Sequence, residues 1–118
     1  FCVLYLEVHA QELVSKWSFD HFQKDLVNED VADKTDRLLG FFDSVSGING
    51  RAVRFDGYTS FLEREKFGQN LPRNFTITAW VALEAYPWFR CPIFDLRMGE
   101  KEGVFLAIKR DGTLTAGL

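Results

Sequence analysis

Apolar and polar residues alternate with a period of two along most of the chain, and helical spacing is weak. The clearest run covers residues 74–84. Phe75, Ile77, Ala79, Val81 and Leu83 share one face, and Thr76, Thr78, Trp80, Ala82 and Glu84 share the other. Strands turn successive side chains to opposite faces, so this alternation among β-branched and aromatic residues predicts a half-buried strand. Residues 12–20 predict a second strand, with Leu13, Ser15, Trp17 and Phe19 on one face. Residues 22–45 are polar and irregular, which predicts a long surface connection with at most a short strand near 38–42. Gly47 and Gly50 mark a turn, and residues 52–56 form a strand with Val53 and Phe55 inward. Asp56-Gly57 predicts a hairpin returning through 58–64, because this dipeptide suits the positive φ angles of a tight turn. Beyond a proline-bounded loop at 85–92, strands are expected at 93–96, 103–109 and 113–116, the last two joined by Asp111-Gly112.

Short strands separated by turn signals, with no helix between them, predict an all-β antiparallel sandwich or barrel. The expected core is Trp17, Phe19, Val53, Phe55, Phe75, Ile77, Ala79 and Val81, with Trp80 also placed inside. Composition agrees with a packed core: 47% of the 118 residues are hydrophobic, including twelve Phe and three Trp. The net charge is −3 with acids and bases interleaved, so the basic stripe expected of a nucleic-acid partner is missing.

The N-terminal segment has two readings. Phe1-Cys2-Val3-Leu4-Tyr5-Leu6 is apolar, and Val8 and Ala10 fit the −3 and −1 positions of a signal-peptidase site. Residues 1–10 then read as the end of a signal peptide, residues 11–118 as the mature domain, and the protein as secreted, cell-surface or periplasmic. The alternative is an ordinary first β-strand, since a basic leading region is missing and Glu7 sits beside the cleavage point. No other stretch nears the roughly 18 apolar residues of a membrane span. With Cys2 in the leader, Cys91 stands alone and no disulfide framework follows.

Three motifs occur in order: Trp17-Ser18-Phe19-Asp20, then Gly47-Ile48-Asn49-Gly50-Arg51-Ala52-Val53-Arg54-Phe55-Asp56-Gly57, then Asn74-Phe75-Thr76-Ile77-Thr78-Ala79-Trp80-Val81. Together they resemble the opening of a laminin G-like domain of the concanavalin A-like lectin/glucanase superfamily. The resemblance implies a two-sheet antiparallel jelly-roll sandwich. Complete members are longer, so it also implies further strands C-terminal to residue 118. The stretch 79–88 resembles domains placed ahead of secreted bacterial glycoside hydrolases, fructan-cleaving ones included.

Catalytic relatives carry an E-x-D-x-x-E strand, because glycoside hydrolysis needs two carboxyls at a set separation. This chain has none; Glu63 and Glu65 share a face but read as a solvated strand end with Arg64 and Lys66. Cys91 and His21 lack a third orienting group, and neither His9 nor His21 has zinc-ligand spacing. No cofactor is expected. The resemblance implies calcium as a candidate ligand, with Asp20, Asp56 and Asp95 at strand ends, although Asp56 is also the natural first residue of its turn.

The loop Tyr86-Pro87-Trp88-Phe89-Arg90-Cys91-Pro92 is the candidate ligand site. Tyr86 and Trp88 offer ring faces for a sugar, and Arg90 offers a rigid donor fork. The alternative is that these rings close one end of the sandwich. Asn74-Phe75-Thr76 fits an N-glycosylation sequon but opens a strand that reads as buried. The expectation is a non-catalytic carbohydrate-binding or adhesion module binding a glycan or other extracellular ligand, with a covalently linked glycoside hydrolase as a possible neighbour. The alternatives are a protein-interaction spacer and a divergent glucanase whose acids lie beyond residue 118.

Overall fold

The computed structural model describes residues 2–8, 12–66, 73–97 and 103–117. The protein is all-β with antiparallel sheets, as the two-residue periodicity predicts, and no helix occurs among the described residues. The described residues form twelve strands: β1 (Cys2–Val8), β2 (Glu12–Trp17), β3 (Phe22–Gln23), β4 (Leu26–Asn28), β5 (Thr35–Leu39), β6 (Phe42–Ser46), β7 (Arg51–Phe55), β8 (Phe61–Glu63), β9 (Phe75–Val81), β10 (Cys91–Asp95), β11 (Phe105–Ile108) and β12 (Leu114–Gly117). They fall into two compact units, one holding β1 to β9 and the other β10 to β12.

In the first unit β1 is the middle strand of a three-stranded sheet, ordered β2-β1-β9. Leu4 pairs with Trp17 on one side and Ala79 on the other, and Leu6 with Ser15 and Ile77. The segment with two sequence readings is thus a strand here; Phe1 lies outside the described residues, as do His9, Ala10 and Gln11 around the expected cleavage point. A second sheet runs β3-β4-β5-β8, and β6 and β7 form a hairpin. Trp17, Phe19, Val27, Leu38, Ala52 and Val53 make the buried core of this unit. Strand β2 ends at Trp17, and Phe19 takes a left-handed backbone with φ 60° while its ring stays in the core. Such a conformation costs an ordinary residue about 1–2 kcal/mol, a cost that the buried ring offsets.

Four expectations are corrected. The polar stretch 22–45 is not a long surface connection but four strands, β3 to β6, with Val27 and Leu38 buried. Its polarity misleads because Glu29 and Asp36 are themselves buried and paired. Asp56-Gly57 does not close a two-residue hairpin onto β8. Asp56 instead accepts backbone N–H groups from Tyr58, Thr59 and Ser60, and the wider loop sends β8 to β5 while β7 pairs with β6. On β9 the Phe75, Ile77 and Ala79 row is only half-buried, Val81 is exposed, and Trp80 is 57% exposed rather than core. Among the described residues this strand lies at the edge of its sheet, with a strand neighbour on one side only. Lastly, Cys91 and Pro92 belong to β10 rather than to a loop. Among the described residues β10 is also an edge strand, with its register shift between Pro92 and Phe94, a setting that tolerates a residue without an N–H.

Candidate ligand-binding loop

The second unit contains an antiparallel sheet ordered β10-β11-β12, and the candidate loop leads into β10. Strands β11 and β12 are joined by the turn at Asp111-Gly112, where Lys109 and Thr113 close the hairpin. The Asp111 carboxylate accepts from the Thr113 N–H at 3.0 Å and the Thr113 hydroxyl at 2.6 Å, which holds its carboxyl below the usual range. Gly112 sits at φ +83°, and the Tyr86 ring lies directly on it: a Cβ there would meet Tyr86 Cε1 at 2.8 Å. The glycine therefore serves both the turn and the seat of the ring.

Tyr86, Trp88 and Phe89 are 69%, 69% and 73% exposed. The loop rings therefore face solvent and do not close a core. Arg90 is also exposed, yet its guanidinium is placed 4.8 Å from the centre of the Phe105 ring. Arg97 lies 4.7 Å from the same ring centre and donates to the Asp95 carboxylate through Nε at 2.8 Å and through Nη2. The Arg97 hydrogen bond holds the Asp95 carboxyl below the usual range. Phe105 has its own support, because its ladder partner is Gly117 and a Cβ at Gly117 would run into the ring. Tyr86 and Arg90 thus each have a defined support, Gly112 for one and Phe105 over Gly117 for the other. Trp88 and Phe89 extend from the loop between them in sequence. Burial raises the Cys91 thiol above its ordinary pKa, which favours the protonated form at neutral pH.

A second polar cluster, unforeseen in the sequence, lies inside the first unit. Arg64 donates from Nε and Nη2 to the two Asp36 oxygens at 2.7 and 2.6 Å, and from Nη1 to Ser15 Oγ at 3.0 Å. Trp17 Nε1 donates to Asp36 at 2.5 Å, and the Arg64 guanidinium stacks 4.8 Å from the Trp17 ring centre. Glu29 stands 3.9 Å from Arg64 and accepts the backbone N–H groups of Lys16, Val31 and Ala32. Two carboxylates thus meet, as a hydrolase would require, but their side chains are 0% and 3% exposed and filled by donors. They brace β2 against β4, β5 and the end of β8 and offer no substrate an oxygen. Glu63 and Glu65 are exposed as expected, while Arg64 between them is the one whose side chain is largely covered. The only sequence signal was its place in an alternating strand end, opposite the two glutamates.

The carboxylates considered for calcium are all engaged by donors. Asp20 accepts the Arg51 N–H at 2.7 Å, Asp95 is held by Arg97, and Asp56 accepts from Tyr58, Thr59 and Ser60. Among the described residues no group of three His, Cys, Asp or Glu side chains is placed to hold a metal ion. No helix among them is long and apolar enough to cross a membrane. No family model, curated protein or solved structure matches the chain.

Proposed function

We propose that the chain is a non-catalytic carbohydrate-binding or adhesion module of an extracellular protein, a jelly-roll sandwich of the laminin G-like, concanavalin A-like kind that serves a linked glycoside hydrolase. The observation that carries this reading is the loop with Tyr86, Trp88 and Arg90: exposed rings in the same loop as a supported guanidinium. A sugar presents an apolar face for stacking and hydroxyl groups for hydrogen bonding. An exposed indole and phenol supply the first contact and a planar guanidinium the second. Supports such as Gly112 and Phe105 reduce the conformational entropy lost on binding. The buried state of Glu29 and Asp36 supports a binding role over hydrolysis by these acids.

The test is Trp88→Ala, measured on a glycan array and by thermal melting. Affinity should fall by roughly 1–3 kcal/mol, by analogy with base–aromatic stacking. The melting temperature should hardly move, because the ring is mostly exposed. A collapsed melting temperature, or intact binding at full stability, rules the platform out.

A further inference from the structure

Asn74-Phe75-Thr76 is the one Asn-x-Ser/Thr sequon in the chain, and proline is absent from its middle position. Its setting in the fold is open. Asn74 lies in a bend that leads into β9, while Thr76 opens the outer row of that strand. Both residues are exposed, and only Phe75 between them turns inward. Neither side chain makes a hydrogen bond among the described residues. The row continues through Thr78 to Trp80, both exposed, so an added oligosaccharide would displace no packing along it. Strand β9 pairs with β1 alone and leaves its other edge without a neighbouring strand among the described residues.

We propose that Asn74 is an acceptor for an N-linked oligosaccharide, carried on the outer face of β9. The donor is a lipid diphosphate-linked oligosaccharide. The Asn74 amide nitrogen bonds to its anomeric carbon and loses one proton, and the anomeric carbon–oxygen bond breaks as the lipid diphosphate departs with the electron pair. Thr76 supplies the hydroxyl that the transferase recognises, and the exposure of Asn74 and Thr76 leaves the folded chain room for the added oligosaccharide. The assignment rests on the extracellular reading only in that the chain must enter a compartment holding the transferase.

The whole chain, placed behind a cleavable secretion leader in a eukaryotic cell, tests it independently of the chain's own N-terminus. Cell-associated and secreted protein should both gain the mass of one N-glycan. Peptide-N-glycosidase should remove it and leave aspartate at position 74. Asn74→Gln and Thr76→Ala should each abolish the mass gain, while Thr76→Ser should keep it. Because transfer accompanies synthesis, cell-associated material reports on the site even for a variant that folds poorly. A bare Asn74 in both fractions of the wild-type chain overturns the proposal. Modification behind the added leader, with no export without it, would instead count against the extracellular reading alone.

Discussion

Replacing Arg64 by alanine should be among the most damaging single changes in the first unit. The side chain is 9% exposed, and its removal withdraws both N–H donors from Asp36, the bond to Ser15 and the positive charge 3.9 Å from Glu29. Asp36 keeps the Trp17 indole N–H and Glu29 keeps its three backbone donors, so both carboxylates stay inside with less compensation. Removing one partner of a buried pair costs about 3–5 kcal/mol, chiefly because a charge is left behind uncompensated. Domains of this size are stable by about 5–15 kcal/mol, so the loss is roughly a fifth of the total or more. At a urea m-value of about 1.5 kcal/mol per molar, the unfolding midpoint should drop by about 2–3 M. Arg64→Lys should recover little, since an ammonium cannot fill both Asp36 oxygens and stack on Trp17 as well. Crossing Arg64→Ala with Asp36→Asn should show strong coupling, the double variant losing less than the two single losses combined. A midpoint shift below about 0.5 M for Arg64→Ala would refute this reasoning, because that is the scale of an exposed ion pair.

Two further outcomes follow from the turns. Gly112→Ala should destabilise the β11–β12 hairpin and shift the Tyr86 ring, whereas Gly57→Ala, also at positive φ but with nothing within 4 Å, should incur only the backbone cost of about 1 kcal/mol; comparing their urea midpoints and Tyr86 ring resonances separates sterics from backbone strain, and equal effects would refute the seat assigned to Tyr86. The Thr59 hydroxyl bond, with the backbone donors of residues 58–60, depresses the Asp56 carboxyl well below the ordinary range of about 3.9. Its contribution is therefore present above that range and lost only as pH falls through the depressed value, so the Thr59 and Ser60 amide resonances should be unchanged at about pH 4. An Asp56 titration midpoint near 4 would contradict the hydrogen bonding of that loop.

The amino-acid sequence by itself determined the all-β class, the β9 strand, the turn at Asp111-Gly112 and the burial of Trp17, Phe19 and Val53. Each of these depends on local chemistry: alternation selects strands, a glycine permits positive φ, and a large ring beside a strand seeks the interior. Partners across space decided the rest. Glu29 and Asp36 read as solvent-facing until Arg64, 35 and 28 positions away in the chain, neutralises them inside the first unit, and no window along the sequence contains that pairing. Trp80 and Val81 read as core, but β9 takes an edge position, and hydrophobicity alone cannot say how much of a strand its neighbours cover. The aromatic loop was legible as residue types, while its exposure was not. Only the fold decides whether a ring has other side chains over it or, like Tyr86 on Gly112, support on one side and water on the other.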